Sequence, residues 1–307
     1  MNKQDIAIII VTHNSWDHLS NCLKSLETAT QNISSTVFII DNASTDGTIS
    51  HLTSEQKWCT LITNKENGGY SKANNIGLKE AGFPKSPIFR YALLLNPDTI
   101  LPPTSLNQLL HYMDNNPEIG VLGPKLVLAN GKLDKACKRG LPTPATSFYH
   151  MSGLAKLFPK HPTLGRYNMS YIDEDSIADV DSTVGACQLI RGEALEKSGL
   201  LDEMFFMYGE DIDLNVRIKQ SGYRIVYYPL VTIKHVKGTS TRKEPDLMIK
   251  SFYNAMKLFH KKHFSDNYPH IINQIIYLSI NLLCYYKRVT NQLKPSHKRI
   301  VGSAPKE

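Results

Sequence analysis

Apolar residues in the first third of this chain come in short unbroken runs separated by polar loops, the pattern of buried strands alternating with helices. Ile6 to Val11 is a continuous β-branched and Ala run, as expected for a strand covered on both faces of a parallel sheet. The polar loop Thr12-His13-Asn14-Ser15 follows. Trp16, Leu19, Cys22, Leu23 and Leu26 then recur at helical spacing, with Ser15 placed to cap the helix. Val37 to Ile40 is a second run, ending at the turn formers Asp41-Asn42-Ala43-Ser44-Thr45-Asp46-Gly47-Thr48. A third, Cys59 to Thr63, leads into Asn67-Gly68-Gly69-Tyr70. The fourth, Tyr91 to Leu95, stops at Asn96-Pro97, because Pro97 has no N–H for a ladder and holds Asn96 extended. The order β-α-β-α-β-α-β with right-handed crossovers predicts a parallel sheet whose loops share one edge.

Beyond Asp98 the pattern predicts a helix over Leu106 to Met113 and a strand over Gly120 to Leu128, interrupted at Gly123-Pro124. From Gly131 to Asp179 the chain is rich in Pro, Gly, Ser and Tyr without periodicity, so a long mobile excursion is expected, either a lid or a poorly ordered insert. A strand resumes after Val184-Gly185-Ala186-Cys187, and a short helix covers Glu193 to Ser198. Ile212, Leu214, Val216 and Ile218 alternate as in a strand, yet the intervening Asp, Asn, Arg and Lys and the stop at Gly222 favour a helix packed on both sides. Tyr223 to Tyr228 and Val231 to Lys234 read as two strands parted by Pro229, and Pro245 to His263 as a helix. Ile271 to Tyr286 forms an uncharged amphipathic helix, with Ile272, Ile275, Ile276, Leu282, Leu283 and Tyr286 on one side and Asn273, Tyr277 and Asn281 on another.

Composition narrows the function. The chain has 307 residues, 41% hydrophobic and 21% charged, enough for one large domain with an appendage. Its net charge of +7 suits a polyanionic ligand or an anionic surface. No RNA-binding aromatic motif, zinc-finger spacing or helix-turn-helix pattern is present, so no nucleic acid partner is expected. Five scattered cysteines read as free thiols of a reducing compartment, and no signal peptide precedes Thr12, which together predict a cytoplasmic protein. The uncharged stretch from Ile271 to Tyr286 is shorter than the roughly 20 residues that span a bilayer. Lys287, Arg288, Lys294, Lys298 and Arg299 follow it, so the helix is expected to lie on an anionic leaflet at the inner face of the cell membrane. Packing on its own domain and pairing in a homodimer are the alternatives.

Candidate chemistry gathers at strand ends. Asp98 stands just past the fourth strand, at the edge where open α/β sheets bind ligands, although Asn-Pro-Asp is also common turn vocabulary. Gly68-Gly69 before a helix lets backbone amides approach an anion. Glu210, Asp211 and Asp213 follow an aromatic run and Gly209. They either stabilise the positive end of a helix or include an acid facing a substrate. His235, a lone histidine at a strand end, is a structural residue or a ligand.

Taken together, Ile8 to Asn14, the Asp41-Asn42 loop, Asn67-Gly68-Gly69-Tyr70, Asn96-Pro97-Asp98, Gly185-Ala186-Cys187, Gly209-Glu210-Asp211-Ile212-Asp213 and His235 resemble glycosyltransferase family 2. The likeness is to rhamnosyltransferase-like enzymes of bacterial surface polysaccharide assembly, and it covers residues 5 to 262. It implies a GT-A fold: an α/β protein with a mostly parallel central sheet flanked by helices, here with a C-terminal amphipathic helical extension. Residues 1–265 would be the transferase domain, with 1–100 the nucleotide-binding half and 101–265 the acceptor and catalytic half, and 266–307 a separate helical segment.

The resemblance further implies a nucleotide-diphosphate sugar donor, a saccharide or polyprenyl-linked acceptor, Mg²⁺ or Mn²⁺, and inversion at the anomeric carbon. It places Thr12, Asn14, Asp41 and Asn42 on the nucleotide, and Asn67, Gly69 and Asn74 by the ribose and phosphates. The family's Asp-x-Asp metal motif begins here with Asn96, which stays with the donor-binding set and leaves Asp98 the lone carboxylate, with His235 the second ligand. Asp211 is the expected general base, Glu210 the alternative, and Asp213 an orienting residue. The rivals are a non-catalytic nucleotide-sugar-binding partner of an assembly complex and a nucleotidyltransferase. The second would need a phosphate loop that is not seen.

Overall fold

The structure is a computed structural model that describes residues 4–56, 58–236 and 245–294. Its first part follows the expected alternation through β1 (Gln4–Thr12), α1 (Trp16–Ala29), β2 (Ser35–Asp41), α2 (Thr48–Glu55), β3 (Thr60–Thr63), α3 (Gly69–Glu80) and β4 (Phe89–Leu95). These four strands are parallel, with Ile8 of β1 opposite Val37 of β2 and Leu93 of β4. Ile6 to Ile10 are fully buried. Each buried Ile there contributes about 1.5–3 kcal/mol, so β1 is a stiff support for the loop that begins at Thr12. α3 lies close over it: a Cβ on Gly77 would come within 2.6 Å of Ile40 and 2.7 Å of Ile9. Ser15 stands ahead of α1 but does not cap it, since its hydroxyl is bonded to that of Thr12 at 2.7 Å.

The second part adds β5 (Thr99–Ile100), α4 (Ser105–Asn115), β6 (Ile119–Leu128), α5 (Pro144–Met151), α6 (Leu154–Leu157), β7 (Ala178–Asp179), β8 (Cys187–Arg191), α7 (Gly192–Ser198), α8 (Glu210–Gln220), β9 (Arg224–His235), α9 (Pro245–His263) and α10 (His270–Gln292). The sheet runs β3-β2-β1-β4-β8-β6-β9-β5, with β7 paired to β9. β8 is antiparallel to both β4 and β6, whereas β6 and β9 are parallel to each other, so the sheet becomes mixed beyond β4. The alternating segment after Gly209 is a helix, as expected. Leu214 and Ile218 enter the main core, while Ile212 and Val216 join Phe205, Ala255 and Phe259 in a smaller one.

Three expectations need correction. The two strands placed around Pro229 are one, β9. The register jumps from Tyr228 opposite Pro124 to Thr232 opposite Lys125, so Pro229 falls in a bulge where no ladder donor is required. The stretch from 131 to 179 is not featureless. Arg139 and Ser182 close its neck as an antiparallel bridge, with N–H to carbonyl distances of 2.9 and 3.0 Å, and the buried Lys138 ammonium donates to the carbonyls of Met169 (3.0 Å) and Ile172 (2.6 Å).

In α10 the sides divide otherwise than expected: Ile276 and Leu283 of the apolar set turn inward beside Asn273. Asn273 is buried, accepts from His260 at 2.7 Å and donates to the Ser265 and Tyr268 carbonyls, while Ile276, Ile280 and Leu283 pack with Ile249 and Tyr253 of α9. Three satisfied hydrogen bonds make the amide an anchor, and the side bearing Ile271, Ile275, Leu278 and Leu282 is left exposed. No helix among the described residues is long and apolar enough to cross a membrane. Lys298 and Arg299 lie outside the described residues.

Candidate active site

The loops at the C-terminal ends of β1, β2 and β3 are tied into one surface. Asn42 is the knot: its N–H donates to the Thr12 carbonyl (2.8 Å), its side-chain amide donates to the Gly69 carbonyl (3.1 Å), and its side-chain oxygen accepts from Asn64 (2.8 Å). Both carboxylate oxygens of the buried Asp41 accept from the Ser44 N–H, at 2.8 and 3.1 Å, closing the turn that follows. Asn14, at φ 52°, accepts from the Thr45 N–H at 2.6 Å, so the first and second loops brace each other. Non-glycine residues with positive φ, Asn14 and Ala43, mark this edge as a place where local strain is held by its surroundings.

The Asn-Gly-Gly turn serves packing as well as openness. Gly69 has φ +85°, and a Cβ there would strike the Phe206 carbonyl at 2.4 Å. Asn67 accepts from the Gly69 N–H at 3.0 Å. The start of α3 is thereby docked on the 201–206 segment, to which Tyr70 N–H, Ser71 and Asn75 also bond. Asn74 Oδ1 is buried without a partner among the described residues. Beside this turn lies a cavity of about 340 Å³ lined by Asn64, Lys65, Glu66, Gly68 and Lys72.

Asp98 and His235 meet across the β5–β9 pairing, where Thr99 is opposite His235 and the Val236 N–H donates to the Asp98 carbonyl at 2.8 Å. His235 is 3% exposed. Its Nε2 lies 3.3 Å from Asp98 Oδ1, and its Nδ1 lies 3.1 Å from Oδ2 of the buried Asp134. Burial alone would lower the His235 pKa, but the carboxylates of Asp134 and Asp98 outweigh it and hold it at about 9. The Asp98–His235 contact falls short of a directed hydrogen bond, so Asp98 Oδ1 is buried with none.

A carboxylate oxygen without a hydrogen bond, beside an imidazole whose far nitrogen is fixed by a second carboxylate, fits a divalent cation that would displace the proton His235 otherwise holds there. Among the described residues no group of three or more His, Cys, Asp or Glu could hold a metal, so a cation here would draw further oxygens from a ligand or water. Asn96 donates its N–H to the Ala186 carbonyl (2.9 Å), and its own carbonyl accepts from the Thr99 hydroxyl (2.8 Å), fixing the turn that presents Asp98.

The acids after Gly209 divide into three environments. Tyr208 (φ 72°) and Gly209 (φ 84°) turn the chain sharply into α8, which delivers Glu210 and Asp211 side by side. The Asp211 carboxylate accepts from the Arg139 guanidinium, from the Gly185 N–H (3.1 Å) and from the Ile212 N–H (2.8 Å). Tyr70 donates its hydroxyl to the Gly185 carbonyl at 2.9 Å, close by. Glu210 Oε2 is buried with no partner among the described residues, and burial followed by the charge of Asp211 pushes its pKa up to about 8.

Asp213 is the structural member of the trio. It is fully buried between His263 (2.8 Å), Lys262 (2.8 Å) and Arg217 (2.8 Å), tying α8 to α9. Burial would raise its pKa, but the His263 hydrogen bond and the charges of Arg217 and Lys262 bring it down to about 2. A depressed folded-state pKa contributes stability above the unfolded value and loses it as pH falls through the folded one, here from about pH 4 to pH 2, worth about 2 kcal/mol. Asp213→Asn is expected to cost about 2–3 kcal/mol near neutral pH, because it removes the buried carboxylate shared by Arg217, Lys262 and His263, although Lys262 keeps Asp202. Urea unfolding of both proteins at pH 7 and near pH 2 checks this, since the difference should shrink at the lower pH.

The structure thus gathers the sequence-derived residues at one sheet edge, but several make the site rather than line it. The Asn42 and Asp41 side chains are spent on loop bonds. Asp134 and Arg139 were not singled out from sequence. Both come from the aperiodic stretch between β6 and β8, where nothing in residue type or spacing distinguishes them. A second cavity of about 200 Å³, lined by Arg90, Tyr91, Asp114, Arg191 and Glu193, involves none of these residues.

A sheet of this topology with a carboxylate beyond β4, a strand-end histidine and an acid pair heading a helix defines a GT-A glycosyltransferase. The family model for "Glycosyltransferase like family 2" matches residues 3–252, and the chain belongs to that family. Among its relatives is the N-acetylglucosaminyl-diphospho-decaprenol L-rhamnosyltransferase of Mycobacterium tuberculosis, 29% identical over 259 residues and 83% of each chain. The low-salt glycan biosynthesis hexosyltransferase of Haloferax volcanii is 23% identical over 91% of this chain and 81% of its own. Solved structures of similar fold include S. aureus TarS 1-349 (TM-score 0.57, 16% identity, 89% of this chain and 69% of that one). Another is GalNAc-T7 with UDP, GalNAc and Mn²⁺ (TM-score 0.58, 14% identity, 96% of this chain and 52% of that one). The protein is a glycosyltransferase.

Proposed function

We propose that this enzyme transfers rhamnose or another hexose, with inversion, from a nucleotide-diphosphate sugar to a lipid-linked saccharide at the inner face of the cell membrane. The observation that carries this reading is the continuity between Asp98 and Asp211. Asn96 N–H bonds the Ala186 carbonyl at 2.9 Å, and the adjoining Gly185 N–H bonds Asp211 at 3.1 Å, so two residues of the turn before β8 connect the segment that carries Asp98 to the acid pair. The M. tuberculosis relative, whose printed acceptor is a diphospho-decaprenol-linked N-acetylglucosamine, supports the acceptor class.

In this reading residues 1–100 hold the nucleotide, with Thr12, Asn14, Asp41 and Asn42 shaping its pocket and Asn67, Gly69 and Asn74 meeting the ribose and phosphates. Residues 101–265 present the acceptor, with α10 packed on α9 as a C-terminal appendage. Asn96 sets the turn beneath the sugar. Asp98 and His235 would hold Mg²⁺ or Mn²⁺, with Asp134 fixing the imidazole. When bound, the cation neutralises charge on the departing diphosphate. The acceptor hydroxyl attacks the anomeric carbon as the bond to the diphosphate oxygen breaks on the opposite face, and Asp211 takes the hydroxyl proton. Direct displacement needs no enzyme nucleophile, so the configuration inverts. Arg139 pairs with Asp211 and aims it.

Purified protein given a panel of nucleotide sugars, Mn²⁺ and a polyprenyl-diphosphate saccharide is expected to release nucleoside diphosphate with one donor only when acceptor is present. Release of inorganic pyrophosphate, or none with any donor, would overturn the reading.

A further inference from the structure

Two surfaces outside the site expose large apolar side chains next to basic ones. On α10, Ile271, Ile275, Leu278, Leu282 and Tyr285 are 68%, 55%, 58%, 59% and 68% exposed along one side of the helix. On α5 and α6 and the turn after them, Phe148, Met151, Leu157 and Phe158 are 62%, 44%, 72% and 54% exposed. Both surfaces adjoin segments packed on α9. Leu141, just before α5, packs against the cluster that includes Ala255 and Phe259 of α9, and α10 packs on α9.

The chain's basicity is concentrated in the same segments. From Pro245 to Lys294 there are seven Lys and Arg against two Asp, and from Pro144 to Ile172 three Lys and Arg with no acid, which together exceed the whole +7 surplus. Arg166 is paired with Asp181, Lys262 with Asp202 and Asp213, and Arg288 with Asp246, so Lys156, Lys160, Lys261 and Lys287 are the exposed cations that these surfaces present.

We infer that the exposed sides of α10 and of α5–α6 are two contacts with one anionic lipid surface. The spacing of Ile271, Ile275, Leu278, Leu282 and Tyr285 would also suit a helix seam with a second copy. Yet Ile272 and Tyr286, 38% and 60% exposed, widen the apolar side beyond a two-residue seam, and the other flank, Gln274 and Asn281, carries no charge to register a partner helix. A lipid surface also accommodates the second patch, which a helix pair would leave bare. The inference deepens the membrane location proposed above, but vesicles without acceptor test it apart from transfer, so failure here leaves the transferase reading intact.

The full chain is expected to sediment with phosphatidylcholine vesicles containing phosphatidylglycerol, less with phosphatidylcholine alone, and less at raised salt. Leu278→Asp with Leu282→Asp should weaken vesicle binding by roughly tenfold or more, and Leu157→Ser with Phe158→Ser by several-fold, since each removes apolar area that is not packed on protein. Neither pair should alter the circular dichroism spectrum or donor turnover with a water-soluble acceptor. Vesicle binding unchanged in both pairs would overturn the inference. So would a wild-type dimer that Leu278→Asp with Leu282→Asp converts to a monomer while vesicle binding persists.

Discussion

Asp211→Asn is expected to lower kcat by roughly 10²–10⁴-fold with little change in donor KM, the range attributed to a positioned proton acceptor. Asparagine preserves the shape, but its single oxygen can accept from only one of the Gly185 and Ile212 N–H groups, it cannot take a proton and it no longer neutralises Arg139. Single-turnover formation of nucleoside diphosphate, with donor and acceptor both saturating, isolates that step. Glu210→Gln is the contrast. Because burial and the charge of Asp211 hold the Glu210 pKa up at about 8, the folded protein retains a proton there that the unfolded chain has lost. That proton contributes stability most fully below about pH 4.5, and the contribution fades as pH rises through 8. Glu210→Gln should therefore be better tolerated than Asp211→Asn in turnover and should flatten the alkaline decline in stability. Turnover abolished in Glu210→Gln and retained in Asp211→Asn would transfer the base role to Glu210.

The second large effect is expected at Asp98. Asp98→Asn keeps the turn, since the bonds from Val236 to its carbonyl and within 96–99 are made by backbone and Thr99. It removes the buried, unpartnered oxygen beside His235. Loss of roughly 10²–10³-fold in kcat/KM corresponds to the several kcal/mol of charge stabilisation such a cation supplies. Calorimetry gives an independent reading: Mn²⁺ should tighten nucleoside diphosphate binding to the wild type and not to Asp98→Asn. Asp134→Asn, which touches only the far side of His235, should fall between them, with roughly 10–100-fold weaker metal affinity. Diphosphate binding indifferent to Mn²⁺ in the wild type would remove the cation from Asp98.

Much of this was legible in the residues because burial writes itself into local pattern. The β-branched run of β1 and the proline after β4 each dictate backbone locally, and each lay where expected. The helix at Glu210 could be recovered from an alternating sequence only by weighing residue type against period. Contacts formed across long separations were not legible. Arg139 reaches Asp211, and Asp134 reaches His235, through a stretch whose turns are set by tertiary bonds such as those of Lys138. Likewise Asn273 looks solvent-facing until His260 and two carbonyls are seen around it, and Pro229 looks like a strand break until β6 supplies a matching irregularity.

The bridge between Arg139 and Ser182 has an evolutionary consequence. Between those two residues the chain is pinned again, by the pairing of β7 with β9 and by Met169 and Val180 in the core, but residues 156–163 are exposed, and doubling the length of a loop there costs only about 0.6 kcal/mol in closure entropy. That exposed turn can be lengthened or shortened while Arg139 stays seated on Asp211. Variety in what is glycosylated can then arise by insertion and deletion, without renegotiating the strands that do the chemistry.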